Sequence, residues 1–251
     1  MHSETPLPGG IIMEENRLLD KLSLFGLTRQ EAAIYLCLYQ HGGLTGYEVA
    51  KYTGISRSNV YSALSALADK GAAYLLEGST NRYVAVPAGE FCANRIRNLE
   101  REKGWLMDNI PLEREREIGY ITITGSRNIR DKMINMIQSA TQRIYLSAAL
   151  SLIEEFSSAL YPVIADRRKL VLITDAKICD EELERGCICY VGMPRGSNVR
   201  LIVDSAYALT GELTGSRKDT CLYTGQENFI KVFKEALRNE IRLIELTQGK
   251  S

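Results

Sequence analysis

Residues 53–61 read Thr53-Gly54-Ile55-Ser56-Arg57-Ser58-Asn59-Val60-Tyr61, and the parsing of this stretch decides the fold of the first third of the chain. Gly54 ends a short helix in the left-handed conformation that a tight turn needs. Ile55 then enters a core, and Ser56 is placed to cap a further helix that runs to about Lys70 and is closed by Gly71. Val60, Ala63, Leu64 and Leu67 form one apolar stripe of that helix and must face inward. Arg57, Ser58, Tyr61, Ser62 and Ser65 fall on the other side, with no carboxylate before Asp69.

Upstream, Thr45-Gly46-Tyr47-Glu48 is a capping box that opens the short helix. Thr28-Arg29-Gln30-Glu31 is a second one, opening a helix that carries Ala32, Tyr35, Leu36, Leu38 and Tyr39. In each, hydroxyl and carboxylate satisfy one another's backbone donors. Leu18, Leu19, Leu22 and Phe25 recur at helical spacing from Glu14 onward. Residues 1–13 read as a tail without order. Downstream, two strands (72–76 and 83–87) flank a polar tip at 77–82. Helix, Gly turn, helix and hairpin together spell a winged helix-turn-helix over residues 14–87.

The exposed face of the third helix suits double-stranded DNA. Hydroxyls, Asn and Arg bond to phosphates or base edges, where a carboxylate would be repelled. Arg57 and Asn59 are the expected base readers, beside the hydroxyls of Ser56, Ser58, Tyr61 and Ser62. Thr45, Tyr47 and Arg82 are expected at the backbone. Charge adds nothing to this: residues 1–88 carry seven Lys/Arg against eight Asp/Glu. A packing or protein-interaction module is the competing reading of the same elements.

From Ala88 to about Ile110 the pattern is one long helix. Cys92, Ile96, Leu99, Lys103, Leu106 and Ile110 alternate at spacings of four and three, the seam period of a coiled coil, and are the expected dimerisation residues. A helix packed on its own domain is the alternative. Pro111 and the run Glu113-Arg114-Glu115-Arg116-Glu117 read as a solvated linker closing the segment 88–117.

Residues 118–251 alternate strand and helix. Strands are expected at 120–124, 143–150, 170–174, 188–191, 199–204, 207–211 and 221–223. Helices are expected at 127–141, 152–167 and 227–246. This is an α/β sheet between helices, so the whole chain is of mixed α+β class.

Composition is that of an ordinary globular protein, with 45% hydrophobic and 25% charged residues and zero formal net charge. No apolar run approaches the eighteen or so residues of a membrane span, and no signal peptide is read at the start. The six cysteines (37, 92, 179, 187, 189, 221) then read as reduced thiols of a cytoplasmic protein. Cys187-x-Cys189 lacks the further ligands that a zinc site wants, and no phosphate-binding Gly loop is present. Neither metal nor cofactor is expected.

The spacing Leu18…Leu22…Gly26-Leu27-Thr28…Glu31-Ala32…Tyr35-Leu36…Leu38, then 53–61, Leu64, Leu67, Lys70-Gly71 and Tyr83, resembles the TrmB family of transcriptional regulators over about seventy residues. The resemblance implies a homodimeric regulator whose second domain, similar to phospholipase D, senses a small molecule. It also puts Tyr61 in a Val-Tyr pair of the recognition helix. Phospholipase D chemistry needs His-x-Lys-x-x-x-x-Asp, with the histidine as nucleophile and the lysine on the phosphoryl oxygens. The matching stretch is 197–204, with Ser197 for the histidine, Val199 for the lysine and only Asp204 retained. The two histidines, His2 and His41, lie outside this half, so an enzyme is not expected. A surviving pocket is expected around Ser147, Thr174, Ser197, Arg200 and Asp204 at strand ends, with Arg195 and Arg200 inclining it toward an anion. Ordinary edge and loop polar residues are the other reading. Longer family members carry an extra domain for a sugar; this sequence stops earlier, so a sugar is not the expected effector. The alternative function of another class is a sequence-independent architectural DNA binder.

Overall fold

The computed structural model describes the backbone of residues 8–111 and 119–248, which separate into two compact units with the division after residue 112. The charged run 113–117 lies outside the described residues, as do residues 1–7.

The first unit is built from α1 (Pro8–Leu24), α2 (Arg29–His41), α3 (Gly46–Thr53), α4 (Arg57–Asp69), β1 (Ala73–Leu76), β2 (Arg82–Ala85) and α5 (Ala88–Asn109). The first helix starts at Pro8, earlier than the apolar spacing from Glu14 suggests, so 8–13 belong to its first turns and not to a tail. Both capping boxes form. Thr28 and Thr45 each accept from the backbone N–H three residues on, and Glu31 and Glu48 each accept from the cap residue's own N–H. Gly54 takes the left-handed conformation, at φ 69° and ψ 5°. The stripe on α4 is buried as its spacing requires, and Ile34, Tyr35, Leu38, Val49 and Phe91 close over it. The Tyr35 hydroxyl donates to the Val86 carbonyl at 2.8 Å, and burial pushes its pKa up to about 12. β1 and β2 pair antiparallel, and Leu44 adds a bridge to Tyr83.

One polar joint sits within this apolar frame. Glu31 is buried, and its Oε2 accepts both the Thr28 N–H (2.7 Å) and the Lys70 ammonium (2.6 Å). Lys70 also donates to the Gly26 carbonyl at 3.0 Å. The last turn of α4 is thereby tied to the first turn of α2.

The second unit holds a seven-stranded mixed sheet in the order β3-β9-β8-β7-β4-β5-β6. Its strands are β3 (Tyr120–Thr124), β4 (Arg143–Ser147), β5 (Lys169–Thr174), β6 (Ile188–Val191), β7 (Asn198–Val203), β8 (Tyr207–Glu212) and β9 (Thr220–Thr224). β4, β5 and β6 run parallel, and the other pairings are antiparallel. Helices α6 (Ser126–Ser139), α7 (Leu150–Glu155), α8 (Ser157–Ala165) and α9 (Glu181–Gly186) belong to one face. On the other, α10 (Glu227–Gln248) packs Ile230, Leu237 and Ile244 onto Ile173, Ile202 and Ala208.

Three elements differ from expectation. The strand read over 143–150 ends at Ser147, and Leu150 already opens α7. The single helix read over 152–167 is two, because the backbone leaves helical geometry at Phe156 (φ −98°, ψ 3°), whose ring is buried in the core. α9 gave no period to read in six residues; its signal is Asp180, which accepts from the Leu183 N–H at 2.8 Å ahead of an acidic first turn. Among the described residues no helix is long and apolar enough to cross a membrane.

Lys70→Met leaves Glu31 buried without its cation, and is expected to lower the unfolding free energy by about 1.5–3 kcal/mol at neutral pH. Burial opposes ionisation of Glu31, but the Lys70 and Thr28 hydrogen bonds outweigh it and hold its pKa below the ordinary 4.5. A lowered folded pKa gives stability that is present above the unfolded value and lost as the pH falls through the folded one. Denaturant titrations at neutral pH and near pH 3 should therefore find the variant's deficit largely gone in acid.

Candidate nucleic-acid interface

The surface of interest is the side of α4 left over once its apolar stripe is buried. Arg57, Ser58, Asn59, Tyr61, Ser62 and Ser65 are all exposed, and Asp69 is the first acid on the helix. A 3.6-residue period and a one-sided core leave this composition no other place to go.

Two aromatic contacts shape that side. The Arg57 guanidinium lies over the Tyr47 ring, 4.6 Å from its centroid, so the first turn of α4 leans on α3. The Tyr61 ring lies across the start of α3, where Gly46 makes room: a Cβ there would stand 2.5 Å from Tyr61 Cε1. Sequence reading put these residues on one surface but missed the role of Gly46, whose signal was its place as the first helical residue inside a capping box.

Four expected contacts are bound within the domain, among them the Ser62 hydroxyl, which donates to the Ser58 carbonyl at 3.1 Å. Ser56 stands at the start of α4 but does not cap it; its hydroxyl lies 3.3 Å from that of Ser58. The Thr45 hydroxyl is engaged with Glu48, donating to its carboxylate at 2.9 Å and accepting its N–H at 3.2 Å. Arg82 reaches from the hairpin to the Gly43 carbonyl at 2.8 Å and stands 3.4 Å from Glu48. Its guanidinium stays about half exposed, yet it first fastens the hairpin to the turn before α3.

The apolar seam of α5 is uncovered. Phe91 is buried and Cys92 partly so, but Ile96, Leu99, Leu106 and Ile110 are 49%, 52%, 46% and 59% exposed. Lys103 is exposed among them, and Met107 widens the band. Cys92 packs on the domain core and the Arg95 guanidinium lies against Gly26, while residues 96–110 are all exposed.

In the second unit the five candidate ligand residues do not form one site. Ser147 and Thr174 are buried at the C-terminal ends of β4 and β5, and Ser197 precedes β7 at the same end, since Ser147 pairs with Arg200. Asp204 follows β7 at the opposite end. Its carboxylate accepts from the N–H groups of Thr141 (2.7 Å), Gln142 (2.8 Å) and Arg143 (2.8 Å) and from the Thr141 hydroxyl. Burial works against its ionisation, but these donors hold its pKa below the usual aspartate value. Asp204 braces the turn before β4 and has no lone pair to spare for a ligand. Arg195 and Arg200 both bond Glu240, which offsets the anion preference read from them. All six cysteines are free thiols, and burial pushes Cys187 up to about 11, away from the thiolate that redox chemistry needs. Among the described residues no cluster of three or more His, Cys, Asp or Glu could hold a metal.

Residues 22–89 match the family model described as sugar-specific transcriptional regulator TrmB. The first unit carries a TrmB-family domain. The TrmB match ends in the first turns of α5 and so takes in the whole helix-turn-helix and hairpin. Over 140 residues the chain is 37% identical to YrhO of Bacillus subtilis (strain 168), covering 53% of this chain and 50% of that protein. It is 30% identical over 167 residues to the HTH-type sugar sensing transcriptional regulator TrmBL1 of Pyrococcus furiosus, covering 64% and 47%. The chain thus spans about half the length of the curated relatives it matches. Among solved structures, the archaeal chromatin protein TrmBL2 aligns at 20% identity and a TM-score of 0.43, over 89% of this chain and 96% of that one. The phospholipase D family member Nuc of Salmonella typhimurium aligns at 13% identity and a TM-score of 0.38, over 49% and 94%.

Within the TrmB domain, Gly46→Ala is expected to swing the Tyr61 ring off α3 with little loss of stability. The ring is exposed enough to move, and Ala replaces Gly in a helix with a propensity gain of up to ~1 kcal/mol. Aromatic NMR shifts of Tyr61 should change while the melting temperature moves by only a few degrees; unmoved Tyr61 resonances contradict the packing described.

Proposed function

We propose that the chain is a sequence-specific, DNA-binding transcriptional regulator that works as a homodimer in the cytoplasm. One observation carries this reading. The outward side of α4 is acid-free from Arg57 to Ala68, hydroxyl-rich and headed by Arg57 and Asn59, inside a domain that matches the TrmB model. Arg57 and Asn59 read base edges in the major groove, Ser58 and Ser62 assist them, and Tyr47 and Tyr61 pack against the sugar-phosphate backbone. No side chain caps α4, so its first N–H groups are turned to a phosphate. Thr45, Ser56 and Arg82 are kept as backbone contacts of second rank, given their bonds within the domain.

The exposed seam Ile96, Leu99, Leu106 and Ile110, with Cys92 and Lys103, pairs α5 with that of a second chain and sets two recognition helices about one DNA turn (~34 Å) apart. The second unit performs no phosphodiesterase reaction, since it has neither histidine nor the matched lysine, and serves instead to hold a small-molecule effector. TrmBL1 is named as a sugar-sensing regulator; what supports an effector of some kind here is that likeness together with the two-unit layout.

Arg57→Ala should weaken binding to the native upstream DNA by about 1–3 kcal/mol and relax sequence preference, by the loss of a bidentate base contact. Gel-shift titrations on upstream and random duplexes read both effects. Equal affinity of the wild type for the two duplexes, with a steep salt dependence, would favour a sequence-independent architectural binder instead. Leu99→Asp with Leu106→Asp puts four carboxylates in the paired seam and should give a monomer by analytical ultracentrifugation, with operator affinity down at least tenfold.

A further inference from the structure

α10 leaves part of its face of the sheet open toward the β6 edge. The hollow beside it has a volume of about 310 Å³, at the small end of small-molecule sites (~300–1,000 Å³). Its floor is apolar, made by Tyr145, Val171, Ile188 and Ile202 on four adjacent strands. Its rim is cationic: Lys169 opens β5, and Lys234, Arg238 and Arg242 stand at spacings of four along α10. Glu245 is the one acid in the lining.

Two physical points make this arrangement unusual for a bare surface. Like charges four apart on a helix disfavour it, and here two such pairs follow one another with a further lysine opposite. Among the described residues none of these four cations makes an ion pair or a side-chain hydrogen bond, whereas Arg195 and Arg200 share Glu240. A row of cations without ion pairs, beside an apolar floor that is open at Ile188 and Tyr145 and backed by the buried Val171 and Ile202, is complementary to a molecule with both an anionic head and an apolar body.

We propose that this hollow between α10 and the β4-β5-β6 side of the sheet is the effector site, and that it takes an amphipathic organic anion, a carboxylate or phosphate monoester on an acyl or aromatic body. The apolar part lies on Ile188 and Tyr145, and the head group is held by Arg238, Arg242 and Lys169. A DNA duplex reaches the rim only with phosphates and has nothing to cover the floor. A sugar without a charged group would leave the four cations without a counter-charge. The site is distinct from the strand ends where the phospholipase D resemblance looks for one. The inference deepens the ligand-control part of the proposed function, but its test reads binding without DNA, so that failure of either leaves the other standing.

Isothermal titration of the full chain with octanoate, phenyl phosphate, inorganic phosphate and octanol tests it. Octanoate and phenyl phosphate should each bind one per chain, with inorganic phosphate and octanol each at least tenfold weaker. Arg238→Gln with Arg242→Gln should weaken both amphipathic anions at least tenfold while the melting temperature holds or rises, because like-charge repulsion is relieved. Ile188→Asp should do the same from the floor. The proposal is overturned if neither anion binds the folded wild type, if inorganic phosphate binds as tightly, or if the double variant binds undiminished. It is overturned equally if the double variant loses only DNA affinity or only self-association, which would make the stripe a duplex or chain-chain contact.

Discussion

A single buried carboxylate holds the first unit's geometry. Glu31 satisfies the opening N–H of α2 through Thr28 and, on the same oxygen, receives the ammonium of Lys70 from the far end of α4. Taking the carboxylate out of water is costly, and the contact is retained only because each of its partners offsets part of that cost. The apolar stripe fixes how α4 is rotated about its axis, but a stripe of Val60, Ala63, Leu64 and Leu67 tolerates sliding along the axis. The Lys70 contact removes that freedom. Which side chains of α4 face outward, and how far along, follows from the two together.

Much of this was legible in the sequence because the determinants are local. Two Thr-x-x-Glu boxes, Gly54 in its left-handed turn and the 60-63-64-67 spacing each involve residues within one or two turns of one another, and each forms as read. What was not legible depends on partners distant in sequence. Arg82 reads as a free cation until the hairpin brings it to Gly43, 39 residues earlier. Asp204 reads as the remnant of a catalytic motif until its four donors arrive from residues 141–143, some 61 to 63 positions away. Ser56 shows the limit of local rules too: the residue type and position of a cap are present, yet the hydroxyl turns toward Ser58.

The same distinction governs the second unit. Strand positions were readable from apolar runs, most plainly in β5, which is buried on both faces along most of its length. The hollow beside α10 was not, because Lys169 and Arg242 lie far apart in the chain and meet only across the sheet order. The basic positions 234, 238 and 242 carry a helical period of their own, one that a search for apolar stripes passes over. Polar periodicity is as informative as apolar periodicity once it runs against what a solvated helix prefers.

The near-neutral charge of residues 1–88 constrains how such a protein can bind DNA at all. Under the proposed function, a domain without an excess of positive charge would gain little from counterion release. On that proposal, joining two domains would supply affinity, the second half-site being engaged at the high effective concentration set by the first. The uncovered apolar band on α5 is the element that can do the joining, and it follows directly on the hairpin. In the proposed dimer an effector would control DNA binding by favouring one of two pairings of the chains, with a coupling no larger than its difference in affinity for them.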